Sequence, residues 1–216
     1  MTKVITLHKR KKFYTNKEKY KSKHNSSILL EKNRIFLLIF AIMSILFGAL
    51  AYRFFPDTEI ISKIDDSLKL LQTQKFLQIV LYFIQTDLIY IFAAFFIGTS
   101  FLGATISPLP IILKCIFIGF QSGYLYNEFE LKGVLFCLIL LYPCYIITTS
   151  SLVFACDESI YMNKYLFGTI TNKNTANDIS VKLYLLRYII LIVINIVCIA
   201  INSGIVYIIA PKINLH

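Results

Sequence analysis

Long apolar runs alternate with short polar segments along the chain. A helix that crosses a bilayer needs about 17 to 25 apolar residues, and four runs of that kind cover 35–52, 88–106, 133–154 and 188–210. A fifth run, 111–126, would rise about 24 Å as a helix, less than the roughly 30 Å of the hydrocarbon layer. The pattern predicts an all-α polytopic membrane helix bundle with about five transmembrane helices. The short third segment either spans the membrane or is re-entrant.

Two connectors separate the runs within a single membrane domain, 35–210. In the first connector, 53–87, a set of apolar side chains falls on one helical arc of about 100°, and this set comprises Ile60, Ile61, Ile64, Leu68 and Leu71. This predicts an amphipathic extracytoplasmic helix. The arc is either packed on the protein's own surface or docked against a partner, in which case Ile60, Ile64, Leu68 and Leu71 anchor it and Asp65 and Asp66 form the rim. The second connector, 155–187, has a polar centre.

Basic residues are concentrated before the first apolar run. The chain has a net charge of +10, and the tail, 1–34, holds eleven of its 22 Lys and Arg residues. Because such residues stay on the cytoplasmic side, the N-terminus of this multi-pass protein is predicted to be cytoplasmic. Five spans place sixteen basic residues inside and six outside, whereas a re-entrant third segment gives fourteen and eight. The tail is expected to contact lipid headgroups, with no nucleic-acid partner.

The residues that enzymes most often use are scarce in the apolar runs. The histidines, His8, His24 and His216, lie in the tails, so no Ser-His-Asp arrangement or zinc helix can be assembled in the membrane. We therefore expect no catalytic residues, metal or cofactor. The five cysteines lie in apolar sequence and read as small hydrophobic residues. Asp87 is placed at the edge of the second span and Lys114 near the inner end of the third, where it can extend to the headgroups.

Small and polar residues within the runs are typical of close helix packing. Gly119 and Gly123 form a G-x-x-x-G pair, which lets helix backbones approach each other. Pro143 should kink the fourth span, and Asn195 and Asn202, seven residues apart, should hydrogen-bond inward. The full set assigned to helix packing is Gly98, Ser100, Gly103, Pro108, Pro110, Gly119, Gly123, Gly133, Pro143, Asn195 and Asn202. A surface for another membrane helix is the alternative interpretation.

The order of these features resembles the stage II sporulation protein M family of integral membrane proteins. The resemblance runs from "FFIGTSFLG" through "SPLP" and "KCIFIGFQSGYLY" to "LKGVLF" and "LLYPCY". It covers about 33–210. The residues that carry it are Gly98, Ser100, Gly103, Pro108, Lys114, Gly119, Phe120, Gly123, Gly133 and Pro143.

The resemblance implies a function without chemistry of its own. It implies a scaffold at the sporulation septum that anchors peptidoglycan hydrolases, of the lytic transglycosylase and amidase types, outside the membrane during septal thinning and forespore engulfment. A transporter or permease subunit of unknown substrate is the alternative, and a membrane-shaping protein without enzymatic partners is a third.

Overall fold

The computed structural model describes residues 32–54, 59–73, 75–100, 102–170 and 181–210. Every element in these ranges is a helix, so the predicted all-α class is confirmed. The elements are α1 (Lys32–Phe54), α2 (Glu59–Thr73), α3 (Phe76–Thr99), α4 (Gly103–Ile106), α5 (Leu109–Phe136), a π-helix (Cys137–Leu141), α6 (Tyr142–Ile170) and α7 (Val181–Ile209). Three parts of the chain named above lie outside the described residues. They are most of the basic tail, the three histidines and the centre of the second connector, 171–180.

Four helical stretches in the described ranges are long and apolar enough to cross a membrane. They are Lys32–Phe54, Phe76–Thr99, Gly103–Leu166 and Val181–Ile209. The chain is therefore a multi-pass membrane helix bundle.

The third stretch folds back on itself at Glu130. This residue has φ 46° and ψ −127° inside α5, a conformation that residues other than glycine rarely adopt. Beyond it, Tyr145 Oη donates a hydrogen bond to Gln121 Oε1 at 2.7 Å, and Tyr142 Oη one to Ser122 Oγ at 3.2 Å. Tyr142, which precedes Tyr145, pairs with Ser122, which follows Gln121. The legs 109–129 and 131–166 therefore run antiparallel.

The helices begin and end at different residues from those predicted. α3 begins at Phe76, where the prediction placed the second span at 88–106, because 76–87 continues the same helix and α3 ends at Thr99 before the short α4. The third run, predicted as 111–126, is part of a leg of about 31 Å, which is long enough for a bilayer. Both runs flanking the second connector also extend into it, since α6 reaches Ile170 and α7 begins at Val181.

Neighbouring helices have the directions that five successive crossings produce. α1 runs parallel to 109–129, since Ala49 lies beside Gly123 and Tyr52 beside Asn127. α3 runs antiparallel to α7, because Phe76 contacts Tyr207 while Phe95 stacks on Tyr184. These directions fit a third leg that crosses the bundle completely. The cytoplasmic N-terminus stays a prediction.

Pro143 lies next to a local change of helix type. It is the second residue of α6 and follows the five-residue π-helix Cys137–Leu141. Proline lacks the N–H of a regular helical turn and crowds the preceding turn, and single π-turns are one way in which a helix absorbs such a disturbance. The predicted disturbance of this span therefore has a π-helix as its counterpart in the structure.

Candidate polar site in the middle of the bundle

A buried ion pair lies halfway along the bundle. Asp87 is at the midpoint of α3 and is 3% exposed. Its Oδ1 lies 2.9 Å from Nζ of Lys114, which is also 3% exposed. The same ammonium donates a hydrogen bond of 2.7 Å to Thr148 Oγ1. Three helices, α3, α5 and α6, therefore meet at one charged centre.

This arrangement corrects two expectations about charge in the membrane. Asp87 was placed at the edge of a span, but the extension of α3 back to Phe76 puts it in the middle. Lys114 was expected to extend to the headgroups, but its ammonium is held inside the bundle by Asp87 and Thr148. An acidic and a basic side chain thus share the middle of the membrane region, where such residues usually have a function.

The start of α5 sets the depth of Lys114. Pro108 is the N-cap of α5 and Pro110 lies in its first turn, where proline is well tolerated because the N–H has no helical partner. Ser107 Oγ donates a hydrogen bond of 2.8 Å to the carbonyl of Cys156 and fixes this corner on α6. Lys114 follows about two turns after Ser107, so it faces Thr148 from inside the bundle.

A row of polar contacts continues along α5 and α6. Gln121 lies two turns after Lys114 on the same face of α5, and Tyr145 lies one turn before Thr148 on α6. Tyr145 Oη donates to Gln121 Oε1 at 2.7 Å. The ion pair is therefore the charged member of a longer polar seam between two helices.

Asn195 of α7 lies at the same level as the ion pair. The contacts of Phe76 with Tyr207 and of Phe95 with Tyr184 bracket the antiparallel pair of helices, and Asp87 and Asn195 each lie midway between them. Asn195 Nδ2 donates to the Leu191 carbonyl of its own helix at 2.8 Å, and its Oδ1 has no partner among the described residues. Four helices thus contribute a polar residue to one layer.

The carboxylate of Asp87 is only partly satisfied. Oδ1 binds Lys114, whereas Oδ2 is buried and has no hydrogen-bond partner among the described residues. A buried polar atom without a partner costs about 1 to 3 kcal/mol, and more when it is charged. The centre therefore has an unused acceptor.

A cavity of about 270 Å³ adjoins the ion pair. Its lining combines aromatic and aliphatic side chains with a few polar groups. The lining residues are Tyr82, Thr86, Asp87, Ile89, Tyr90, Lys114, Phe117, Ile118 and Tyr145.

The opposite face of α5 contacts α1 through glycines. A Cβ at Gly119 would overlap the carbonyl of Ile45, and a Cβ at Gly48 would overlap the carbonyl of Ile116. Gly123 lies beside Ala49, whose carbonyl would be 3.0 Å from an added Cβ. The predicted use of Gly119 and Gly123 for close packing matches this crossing. The partner glycine, Gly48, was not predicted, although Ser44 and Gly48 have the same spacing of four.

The corner between α3 and α5 uses the other predicted glycines. A Cβ at Gly98 would meet Ser159 of α6 and the hydroxyl of Tyr184. Gly103 lies against Asn163, whose Nδ2 donates a hydrogen bond to the carbonyl of Ser100.

Gly133 contacts the carbonyl of Leu125 across the reversal. Its lack of a side chain lets the two legs approach each other next to Glu130.

The asparagines of α7 are inward but less well bonded than predicted. Asn195 and Asn202 are both buried. Among the described residues, Asn195 bonds only within its own helix, and neither amide atom of Asn202 has a partner there. Ser203 Oγ, the next side chain, is likewise buried and without a partner in the described ranges. Within the described part of the chain, neither asparagine makes the expected bond to another helix.

The apolar face of α2 is packed inside the protein. Ile64, Leu68 and Leu71 are buried in a cluster with Phe83 and Phe136, whereas the side chain of Ile60 lies outside the described set. Of the two interpretations of this face, the structure supports packing on the protein itself. The double substitution Ile64→Asp with Leu68→Asp would place charges in this core. It would therefore lower the stability of the fold as well as the affinity for any partner.

The rim residues of α2 lie at the surface of the bundle. Asp65 accepts a hydrogen bond of 2.7 Å from Tyr124 Oη and lies 3.7 Å from Lys69 Nζ. Asp66 is exposed.

The most important residue that the sequence reading missed is Asp87. The run "FLQIVLYFI" just before it is apolar on nearly all sides, and this signal could have joined 76–87 to the span. With that start, Asp87 becomes central, and Lys114 is the next basic residue after it along the chain.

Comparison with known proteins leaves the family open. A scan against protein-family models found no match, and neither the curated proteins nor the solved structures gave a significant match. The resemblance described above therefore stays a prediction.

Proposed function

We propose that the protein is a non-enzymatic membrane scaffold that anchors peptidoglycan hydrolases outside the bacterial cell membrane during sporulation. The partners would be of the lytic transglycosylase and amidase types. The motif that carries the resemblance supports this proposal, because its glycines and Lys114 occupy close helix contacts of one bundle.

The observation on which the proposal depends is a surface at the predicted outer end. α2 is held on the bundle by its buried apolar face and by the bond between Tyr124 and Asp65, so its charged face is turned outward. Beside it, at the reversal, Tyr126 is 66% exposed and Leu131 76% exposed. An exposed tyrosine within a polar rim is suited to anchor a protein partner, and the leucine beside it adds apolar contact area.

Co-purification of the full chain from sporulating cells tests this proposal. The double variant Tyr126→Ala with Leu131→Ala should lose the hydrolases while its abundance in the membrane stays normal. The matched control, Leu102→Ala with Leu109→Ala, changes two exposed residues at the opposite end and should retain them. Hydrolases that co-purify equally with both variants would contradict the assigned surface, and their absence from the unmodified protein would contradict the scaffold.

The ion pair favours a second candidate function, a transporter or permease subunit. Charged residues in the middle of a membrane region and an adjoining cavity are features of substrate pathways. An ATPase or a solute-binding protein in the same co-purification, in place of hydrolases, would support this alternative.

A further inference from the structure

We propose that the cavity beside Asp87 is a binding site for a neutral amphiphile that carries a hydroxyl group and enters from the bilayer. The inference concerns the interior of the bundle and does not depend on the scaffold proposal. It begins with Asp87 Oδ2, a buried acceptor without a partner among the described residues. The missing partner must be a hydrogen-bond donor, and a hydroxyl group supplies one.

Charge selects a neutral ligand. Lys114 Nζ lies 2.9 Å from Asp87 Oδ1 and balances the carboxylate. In surroundings of low polarity, an added cation would leave a net positive charge beside Lys114, and an added anion would face the free oxygen of Asp87. Each would lose its hydration without full compensation inside the bundle. A hydroxyl group donates to the carboxylate and adds no charge.

The size and walls of the cavity indicate an apolar body behind the hydroxyl. Its volume of about 270 Å³ is several times the roughly 30 Å³ that one water occupies in the liquid. Phe117, Ile118 and Ile89 line it with apolar surface, whereas ordered water needs two to four polar partners. A molecule with one polar end and a short hydrocarbon part matches this lining.

The position of Ile89 shows where the cavity opens. It lines the cavity and is also 63% exposed, near the middle of α3. A side chain exposed at that depth of a membrane helix faces lipid tails. The mouth therefore opens toward the bilayer, where amphiphiles are concentrated.

The test uses a photoreactive alcohol, 3-azioctanol, with the full-length protein in phosphatidylcholine nanodiscs. After illumination, mass spectrometry locates the labelled residues. The probe should label cavity residues such as Tyr82, Tyr90 and Tyr145 about tenfold more than 3-azioctane, which has the same chain without the hydroxyl, since a hydrogen bond to a charged acceptor corresponds to about that factor. An excess of 1-octanol should abolish the labelling.

Two variants keep the test independent of folding. Ile89→Trp should narrow the mouth of the cavity without touching the ion pair. Cavity labelling should fall about tenfold, which corresponds to the loss of one favourable contact between probe and protein. Leu81→Trp changes another exposed residue of α3 and should leave the labelling unchanged.

Three outcomes would overturn the proposal. Equal labelling by the alcohol and the alkane would show an apolar cavity without recognition of a hydroxyl. Absence of label from the cavity residues would show that the cavity does not bind the alcohol. Stronger labelling by the corresponding azi-octylamine would show that the site prefers a cation.

Discussion

The two faces of α5 contact their neighbours by different physical means. On one face, Gly119 and Gly123 bring the backbone of α5 against α1. On the other, Lys114 and Gln121 reach α3 and α6 through polar side chains. The first contact is stabilised by close packing, and a single added carbon disturbs it. The second is stabilised by compensation of charge, so removing one partner disturbs it more than removing both.

The largest expected effect follows from removing Lys114 alone. Lys114→Met should lower the free energy of unfolding by about 3 to 5 kcal/mol, because the carboxylate of Asp87 stays buried without its counter-ion. Unfolding of the purified protein in mixed micelles, followed by denaturant titration, measures the change. The control is Lys182→Met, which removes an exposed lysine at the start of α7 and should change stability by less than about 0.5 kcal/mol. Equal losses in both variants would mean that the pair contributes nothing specific.

A smaller loss is expected on the glycine face. Gly119→Ala should lower the free energy of unfolding by about 1 to 3 kcal/mol, because its Cβ overlaps the backbone of α1 and the helices must separate. Gly204→Ala is the matched control, since a Cβ there meets nothing within 4 Å and alanine favours the helix. The same titration compares them. A Gly119 variant as stable as the Gly204 variant would show that α1 and α5 are not in close contact.

The smallest effect is expected at Asn202. Its amide is buried without a partner among the described residues, so Asn202→Leu removes a desolvated polar group and should be neutral or stabilising by about 1 kcal/mol. Asn195→Leu is the comparison, because it also removes the bond to Leu191. A marked loss for Asn202→Leu alone would indicate that this amide is satisfied in the membrane, by water or by another chain.

The sequence predicted the packing better than the polar centre. Small residues act through their own backbone, so the spacing of Gly119 and Gly123 is enough to predict a close contact. Their partner is not encoded in that spacing, and Gly48 was therefore missed. The apolar arc of α2 was also visible, but the periodicity shows only that one face is covered and not what covers it.

The formation of the ion pair depends on three structural features that lie far apart in the sequence. The start of α3 determines the depth of Asp87, and the corner at Ser107 determines that of Lys114. The reversal at Glu130 brings Thr148 to Lys114. An error of about twelve residues in one helix start, 88 for Phe76, was sufficient to place Asp87 at the membrane surface. Helix ends are the least certain part of any reading from sequence.

A double-mutant cycle on Asp87 and Lys114 tests the polar centre most directly. It compares Asp87→Asn, Lys114→Met and the double variant by their free energies of unfolding under the same conditions. The ion pair predicts that the double variant is more stable than Lys114→Met alone, so that the coupling energy exceeds the loss caused by Asp87→Asn alone. Losses that add, with a coupling energy near zero, would contradict a charged pair at the centre of the bundle.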